Sequence, residues 1–255
     1  MLAIETRGLT RLFEGRPAVA DLSLAVPAGA FYGFLGPNGA GKSTTIKILT
    51  GLLAASTGTA RVLGLDVERD ALEVKRQIGV VPDGLGLFER LSGAEQLRIH
   101  GQLYGLPRTV AARRADELLA ALELTEHAGK LVGAYSHGMR KKLALGCALI
   151  HGPRLLFLDE PFEGIDAVAV SGIRQLLQAL VARGAMTIFL TSHVLEVVER
   201  LVTHVGIIRE GRLAAQGTLE EVRGAGTLEE VFIRTVGEEK VPRAGLSWLG
   251  EGTPA

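Results

Sequence analysis

The run Gly36-Pro-Asn-Gly-Ala-Gly-Lys-Ser43 constrains this chain more than any other segment. It fits the pattern G-x-x-x-x-G-K-[ST], a phosphate-binding loop. Its setting matters as much as its letters. The apolar run Phe31-Tyr-Gly-Phe-Leu35 leads into it and reads as a buried central strand. Ile46, Leu49 and Leu53 then share one face of a helix expected from Lys42 to about Leu52, with Gly51 tolerated near its end. A glycine turn could match the pattern by chance, but the strand before it and the helix after it argue against that. In such a loop small residues let successive backbone N–H groups point at phosphate oxygens, and the helix N-terminus adds positive potential. The candidate cradle is Gly36, Pro37, Asn38, Gly39, Ala40, Gly41, Lys42, Ser43 and Thr44. Lys42 brings a charge to the β- and γ-phosphates, Ser43 offers a hydroxyl to Mg²⁺, and Thr44 reaches the α-phosphate.

The rest of the chain reads as an α/β fold around that loop. Residues 2–35 carry strand signals, with Leu22, Leu24 and Val26 alternating against Asp21, Ser23 and Ala25. Ile78–Val81 is another short strand. From about Ser92 to Leu149 the periodicity turns helical, which marks an inserted helical part. Strand signals return at Leu155–Leu158, Met186–Thr191 and Val205–Ile208, separated by helical segments at about 167–183 and 194–201. That alternation predicts a parallel sheet with crossover helices. Gly217-Thr-Leu-Glu-Glu-Val and Gly226-Thr-Leu-Glu-Glu-Val nearly repeat and read as two capped helix starts. Residues 236–255 read as a tail with Trp248 as its one sizeable anchor.

Composition closes off several classes. Twenty-eight basic and 28 acidic residues give zero net charge, which argues against nucleic acid as a partner. The single cysteine, Cys147, makes no internal disulfide and fits a reducing compartment. No stretch reaches the roughly 18 apolar residues of a membrane span, and the N-terminus has no secretory pattern. A soluble protein is expected, with any membrane role supplied by another chain.

A second element narrows the chemistry. Leu155-Leu-Phe-Leu-Asp159-Glu160 is an apolar strand ending in two carboxylates. Asp159 is placed to hold Mg²⁺ through water, and Glu160 to orient and polarise an attacking water.

Tyr135-Ser-His-Gly-Met139 resembles the signature L-S-G-G-Q of ATP-binding cassette (ABC) ATPases, with Ser136 and Gly138 matching. Other elements of that family stand in order. Pro161-Phe-Glu-Gly-Ile-Asp166 resembles the D-loop, Thr191-Ser-His193 the switch histidine segment, and Val81-Pro-Asp83 occupies the Q-loop position. Phe13 sits where an aromatic residue stacks on adenine. The resemblance covers about 1–235. It implies a RecA-like P-loop NTPase core at 1–83 and 153–216, with an N-terminal antiparallel β part and a helical subdomain at 84–152. It also implies roles. Asp83, where the family has glutamine, would contact Mg²⁺. Ser136 and Gly138 would contact the γ-phosphate held by an opposite protomer. His193 would hydrogen-bond the γ-phosphate, Lys42 and Glu160 would serve catalysis, and Asp166 would cross the dimer interface.

The implied function is ATP hydrolysis powering transport, with export preferred. The implied partners are a second copy or homologous ATPase subunit and an integral membrane transporter subunit. The location would be the inner face of the cell membrane. Two other readings are a soluble non-transport ABC ATPase and a regulatory cassette with little turnover. The single cassette without a coiled-coil insertion speaks against the first, and Glu160 with His193 against the second.

Remaining features have plainer expectations. Arg140-Lys-Lys142 reads as a solvated helix face. Cys147 reads as a buried small hydrophobe, and His100, His127, His151 and His204 lack partners at zinc-ligand spacing. His137 has no assigned role. Leu85, Leu87 and Phe88 are either core or a docking point for the membrane subunit.

Overall fold

Two sheets divide the apolar side chains between them. The structure, a computed structural model, describes residues 1–182, 184 and 186–237. The expected tail lies, from residue 238 with Trp248, outside the described residues. The first strands are β1 (Leu2–Phe13), β2 (Arg16–Leu22), β3 (Ala25–Pro27) and β4 (Phe31–Leu35). After helix α1 (Lys42–Leu49) come β5 (Thr57–Val62), β6 (Leu65–Asp66), α2 (Ala71–Gln77) and β7 (Ile78–Val81). Strands β1, β2, β3, β5 and β6 form an antiparallel sheet. Strands β5 and β6 were not foreseen. Only Ala60 and Val62 of β5 are buried, so it gives too little alternation to read.

Leu22, Leu24 and Val26 are buried and Asp21, Ser23 and Ala25 exposed, as the alternation predicts. Ser23 and Leu24 nevertheless belong to no strand. Thr6 fills the break: its hydroxyl donates to Leu22 O at 2.8 Å and accepts from Leu24 N–H at 2.8 Å. Helix α1 ends at Leu49, short of the expected Leu52. Gly51 turns left-handed at φ +67°, and the N–H groups of Leu52 and Leu53 both close back on Lys47 O.

The helical insert follows as α3 (Gly93–Leu103), α4 (Arg108–Ala121) and α5 (His137–Leu149). Then come β8 (Leu155–Asp159), α6 (Ala167–Ala182), β9 (Thr187–Ser192), α7 (Leu195–Glu199), β10 (His204–Arg209), β11 (Arg212–Thr218), α8 (Leu219–Arg223) and α9 (Leu228–Val236). The central sheet runs β11-β10-β4-β9-β8-β7, parallel except for the edge strand β11. Along β4, Phe31 and Leu35 pack with the helical insert, while Tyr32 and Phe34 pack with α1 and the antiparallel sheet. Strand β8 splits the same way, Leu156 and Leu158 against Leu155 and Phe157. Phe189 joins Tyr32, Phe34 and Phe157 at centroid distances of 5.3–5.6 Å. Each such buried aromatic contributes about 1.5–3 kcal/mol by leaving water, so the middle of this sheet is rigid. The two Thr-Leu-Glu-Glu runs do start helices. Thr218 with Glu221 and Thr227 with Glu230 each form a complete capping box.

Candidate active site

Strand register brings three chain segments to one edge. Leu35 of β4 pairs with Ser192 of β9, and Asp159 of β8 pairs with Thr191. The residues that follow these strand ends are the glycine loop, Glu160 and His193. They meet at the carboxyl ends of a parallel sheet, where α/β folds place their ligands.

A cavity of about 270 Å³ opens there, lined by Pro37–Thr44, Ala18, Asp83, Asp159, Glu160, Glu163 and His193. The loop's shape depends on two glycines. A Cβ on Gly36 would stand 2.5 Å from Ile208 O. Gly41 has φ +106°, and a Cβ there would strike Ala18 O. Helix α1 begins just after Gly41 and no side chain caps its first N–H groups. Those groups are donors without a side-chain acceptor, as an anion site requires.

The side chains converge on Glu160. Lys42 is only 7% exposed; its Nζ donates to Gly36 O at 2.7 Å and lies 3.7 Å from Glu160 Oε1. His193 meets the other carboxylate oxygen, with its backbone N–H at 3.2 Å and Nδ1 at 3.0 Å. Thr191 donates its hydroxyl proton to Asp159 Oδ1 at 2.6 Å and accepts from Glu160 N–H at 3.1 Å. Asp159 is buried and Ser43 exposed at the cavity wall.

Sequence reasoning missed several contributors. Thr191 was read only as part of the His193 segment. Its role follows from the β8–β9 register, which no local pattern announces. Lys141 corrects an expectation. Arg140-Lys-Lys142 is not a uniformly solvated face, because Lys141 is 5% exposed and its Nζ donates to Glu160 O at 2.5 Å. Burial pulls the Lys141 ammonium below its ordinary range, against the opposing pull of Glu163, Asp83, Glu160 and Asp159. Its neighbours are partly buried and paired: Lys142 with Glu123 at 2.8 Å and Arg140 with Glu89 at 3.3 Å.

The Tyr135–Met139 segment is placed elsewhere, and none of it lines this cavity. Ser136 caps α5, its Oγ accepting from Met139 N–H at 3.2 Å. Tyr135 is buried and donates to His127 O at 2.7 Å. His137 is exposed and packs over Gly164, and Gly138 faces Ala169. Asp166 accepts from Val168 and Ala169 N–H at the start of α6, and those bonds hold its carboxyl below the usual range. Phe13 is 45% exposed with the Arg11 guanidinium 4.8 Å from its ring centroid, outside the cavity lining. Cys147 is buried as expected, and burial pushes its thiol up to about 12. Leu85 and Leu87 are partly buried against the core, whereas Phe88 is exposed. No helix among the described residues is long and apolar enough to cross a membrane.

Comparison with known proteins agrees with this geometry. Residues 19–163 match the family model described as ABC transporter. The daunorubicin/doxorubicin resistance ATP-binding protein DrrA of Streptomyces peucetius is 41% identical over 223 residues, covering 88% of this chain and 67% of that protein. The bacitracin transport ATP-binding protein BcrA of Bacillus licheniformis is 38% identical over 219 residues, covering 86% and 69%. A solved ATP-binding subunit of an ABC transporter superposes with a TM-score of 0.84 at 29% identity, covering 92% of this chain and 99% of that one. The chain belongs to the ABC transporter ATP-binding family and is an ATP-binding, ATP-hydrolysing protein of that family.

Proposed function

We propose that this chain hydrolyses ATP in pairs, each site built from two chains, and so powers export through a separate membrane subunit. One observation carries the reading: Lys42, Asp159, Glu160 and His193 converge on one cavity while Ser136 and Gly138 open on another surface of the same chain. In this reading Gly36–Thr44 cradle the triphosphate and Lys42 neutralises its terminal charge. Glu160, fixed between Lys42 and His193, accepts a proton from the attacking water. Ser136 and Gly138 meet the γ-phosphate held by the other chain, Phe13 stacks on adenine, and Asp166 lies at the chain–chain contact. The donors Ser43, Asp83 and Asp159 are all oxygen and share the cavity region, which suits Mg²⁺. Magnesium held there would neutralise charge developing on the phosphates. The division into a core at 1–83 and 153–216 and a helical part at 84–152 belongs to the same proposal.

The drug-resistance and antibiotic-transport names of DrrA and BcrA support export as the direction. An apolar cleft of about 350 Å³, lined by Leu52, Ile78, Val80, Leu85, Tyr104 and Ala148 among others, supports docking of a membrane subunit beside the Asp83 segment. That docking would hold the protein at the inner face of the membrane.

The test is Glu160→Gln, which keeps size and hydrogen bonding but removes the base. Hydrolysis is expected to fall about 10²–10⁴-fold, while ATP still binds and an ATP-bound dimer accumulates on size-exclusion. Near-normal turnover would remove Glu160 from the role given it.

A further inference from the structure

Glu160 is one of seven described non-glycine residues with positive φ, and among these it lines the site cavity. Its φ is +49°, in the left-handed region that non-glycine residues enter at a cost. Such a conformation persists only where neighbouring contacts over-determine it. The contacts on it are Thr191 at its N–H, Lys42 and His193 at its carboxylate, and the Lys141 ammonium at its carbonyl, which also accepts from Glu163 N–H at 3.4 Å. Of the described lysines only Lys42 and Lys141 are buried, and both end on Glu160. A buried ammonium is costly unless it is paired, so this placement needs a return. Lys141 sits in the second turn of α5, the helix capped by Ser136.

We propose that Lys141 is a positioning residue for hydrolysis. Its ammonium holds the Glu160 peptide in the left-handed conformation that aims the carboxylate between Lys42 and His193. Its hydrogen bond is to Glu160 O, and it acts through Glu160. Because α5 carries Ser136 at its start, Lys141 also ties the signature face to the water-activating group of the same chain. The proposal rests on the reading that Glu160 acts on the attacking water.

The test compares Lys141→Met and Lys141→Arg with wild-type chain in steady-state hydrolysis, with ATP affinity measured by a fluorescent ATP analogue. Lys141→Met is expected to lower kcat about tenfold or more through misplacement of the base, with KM and nucleotide affinity within about twofold. Lys141→Arg, which can still donate to the carbonyl, should recover most of that loss. The double variant Glu160→Gln/Lys141→Met should be no slower than Glu160→Gln alone. An unchanged kcat in Lys141→Met overturns the proposal. So does a loss that Arg does not recover, or a double variant slower than Glu160→Gln. If Lys141→Met does not fold, Lys141→Leu, which likewise has no donor, carries the same comparison. Normal turnover in Glu160→Gln would instead overturn the underlying reading, so the two failures are distinct.

Discussion

Helices α1 and α5 both begin at glycine-containing loops, yet their N-termini are built for different situations. The first turn of α1 has no side-chain cap and opens into a cavity walled on several sides by its own chain. The first turn of α5 is capped by Ser136 and carries the exposed His137. One anion site is therefore prepared within the chain, with a buried cation and carboxylates already set around it. The other has its cap met by Ser136, and in the proposed function its outer side meets the γ-phosphate held by a second chain. A serine hydroxyl that accepts from Met139 N–H can still donate its own proton outward. On the proposed function, the difference is that between two unequal halves of a site completed by a second chain.

The sharpest way to break that comparison separates the halves by mutation. Lys42→Ala damages the cradle and Ser136→Arg blocks the facing contact by bulk. Each variant alone should lose nearly all hydrolysis. In a mixture, heterodimers put both lesions at one site and leave the other intact, so ATP-driven dimerisation and some turnover should return. Wild-type activity should rise faster than linearly with protein concentration at the dilute end. Linear activity without rescue would mean that the α1 half works alone.

A glycine swap in each half tests local construction. Gly41→Ala places a Cβ against Ala18 O and adds about 1–2 kcal/mol from the left-handed backbone alone. Nucleotide binding should be lost and the melting temperature should fall. A Cβ on Gly138 meets Ala169 Cβ at 3.4 Å, Ile165 Cγ2 at 3.8 Å and Asp166 Oδ2 at 3.9 Å, all ordinary contacts. Gly138→Ala should therefore melt like wild type and bind ATP as a monomer, while turnover falls because the outer contact is blocked. Equal melting losses in both variants would erase the distinction.

Asp83 lies on the cradle side, lining the cavity and acting on Lys141 through its charge. Asp83→Gln should retain hydrolysis, and Asp83→Ala should raise the Mg²⁺ concentration needed for half-maximal rate several-fold. Identical Mg²⁺ titrations would remove Asp83 from the metal's surroundings.

The smallest effect is a labelling contrast. Ser136→Cys should react readily with a thiol reagent at pH 8 and become protected when ATP drives dimerisation. Cys147, buried with its thiol pushed up to about 12, should stay unreactive throughout. At pH 8 that thiol stays protonated. Labelling of Ser136→Cys that ATP does not change would show that this face stays open.

Much of this site could be read because its key runs are contiguous. Phe31–Ser43 and Leu155–Glu160 each carry strand, turn and chemistry in a single stretch. The parallel sheet was legible from apolar runs such as Phe31–Leu35, which is buried at every position. What escaped depends on distant pairing. Lys141 stands between two partly buried basic residues that pair with Glu89 and Glu123, and its own partner is the distant Glu160 O. Thr191 matters because β8 and β9 are in register at Asp159. Strand β11 alternates between exposed and half-buried residues and has no fully buried side chain, so its strand character comes from pairing with β10 rather than from hydrophobic pattern.

The left-handed backbone at Glu160 sets two selective pressures against each other. Glycine or asparagine would occupy φ +49° at lower cost than glutamate. Selection for heat tolerance alone, with turnover unmonitored, would therefore favour discarding the residue on which turnover is proposed to depend. A population evolved for folded yield would be expected to lose Glu160 early while keeping the cradle. One evolved for transport would, on the proposed function, retain a permanent local penalty at the position given the water to activate.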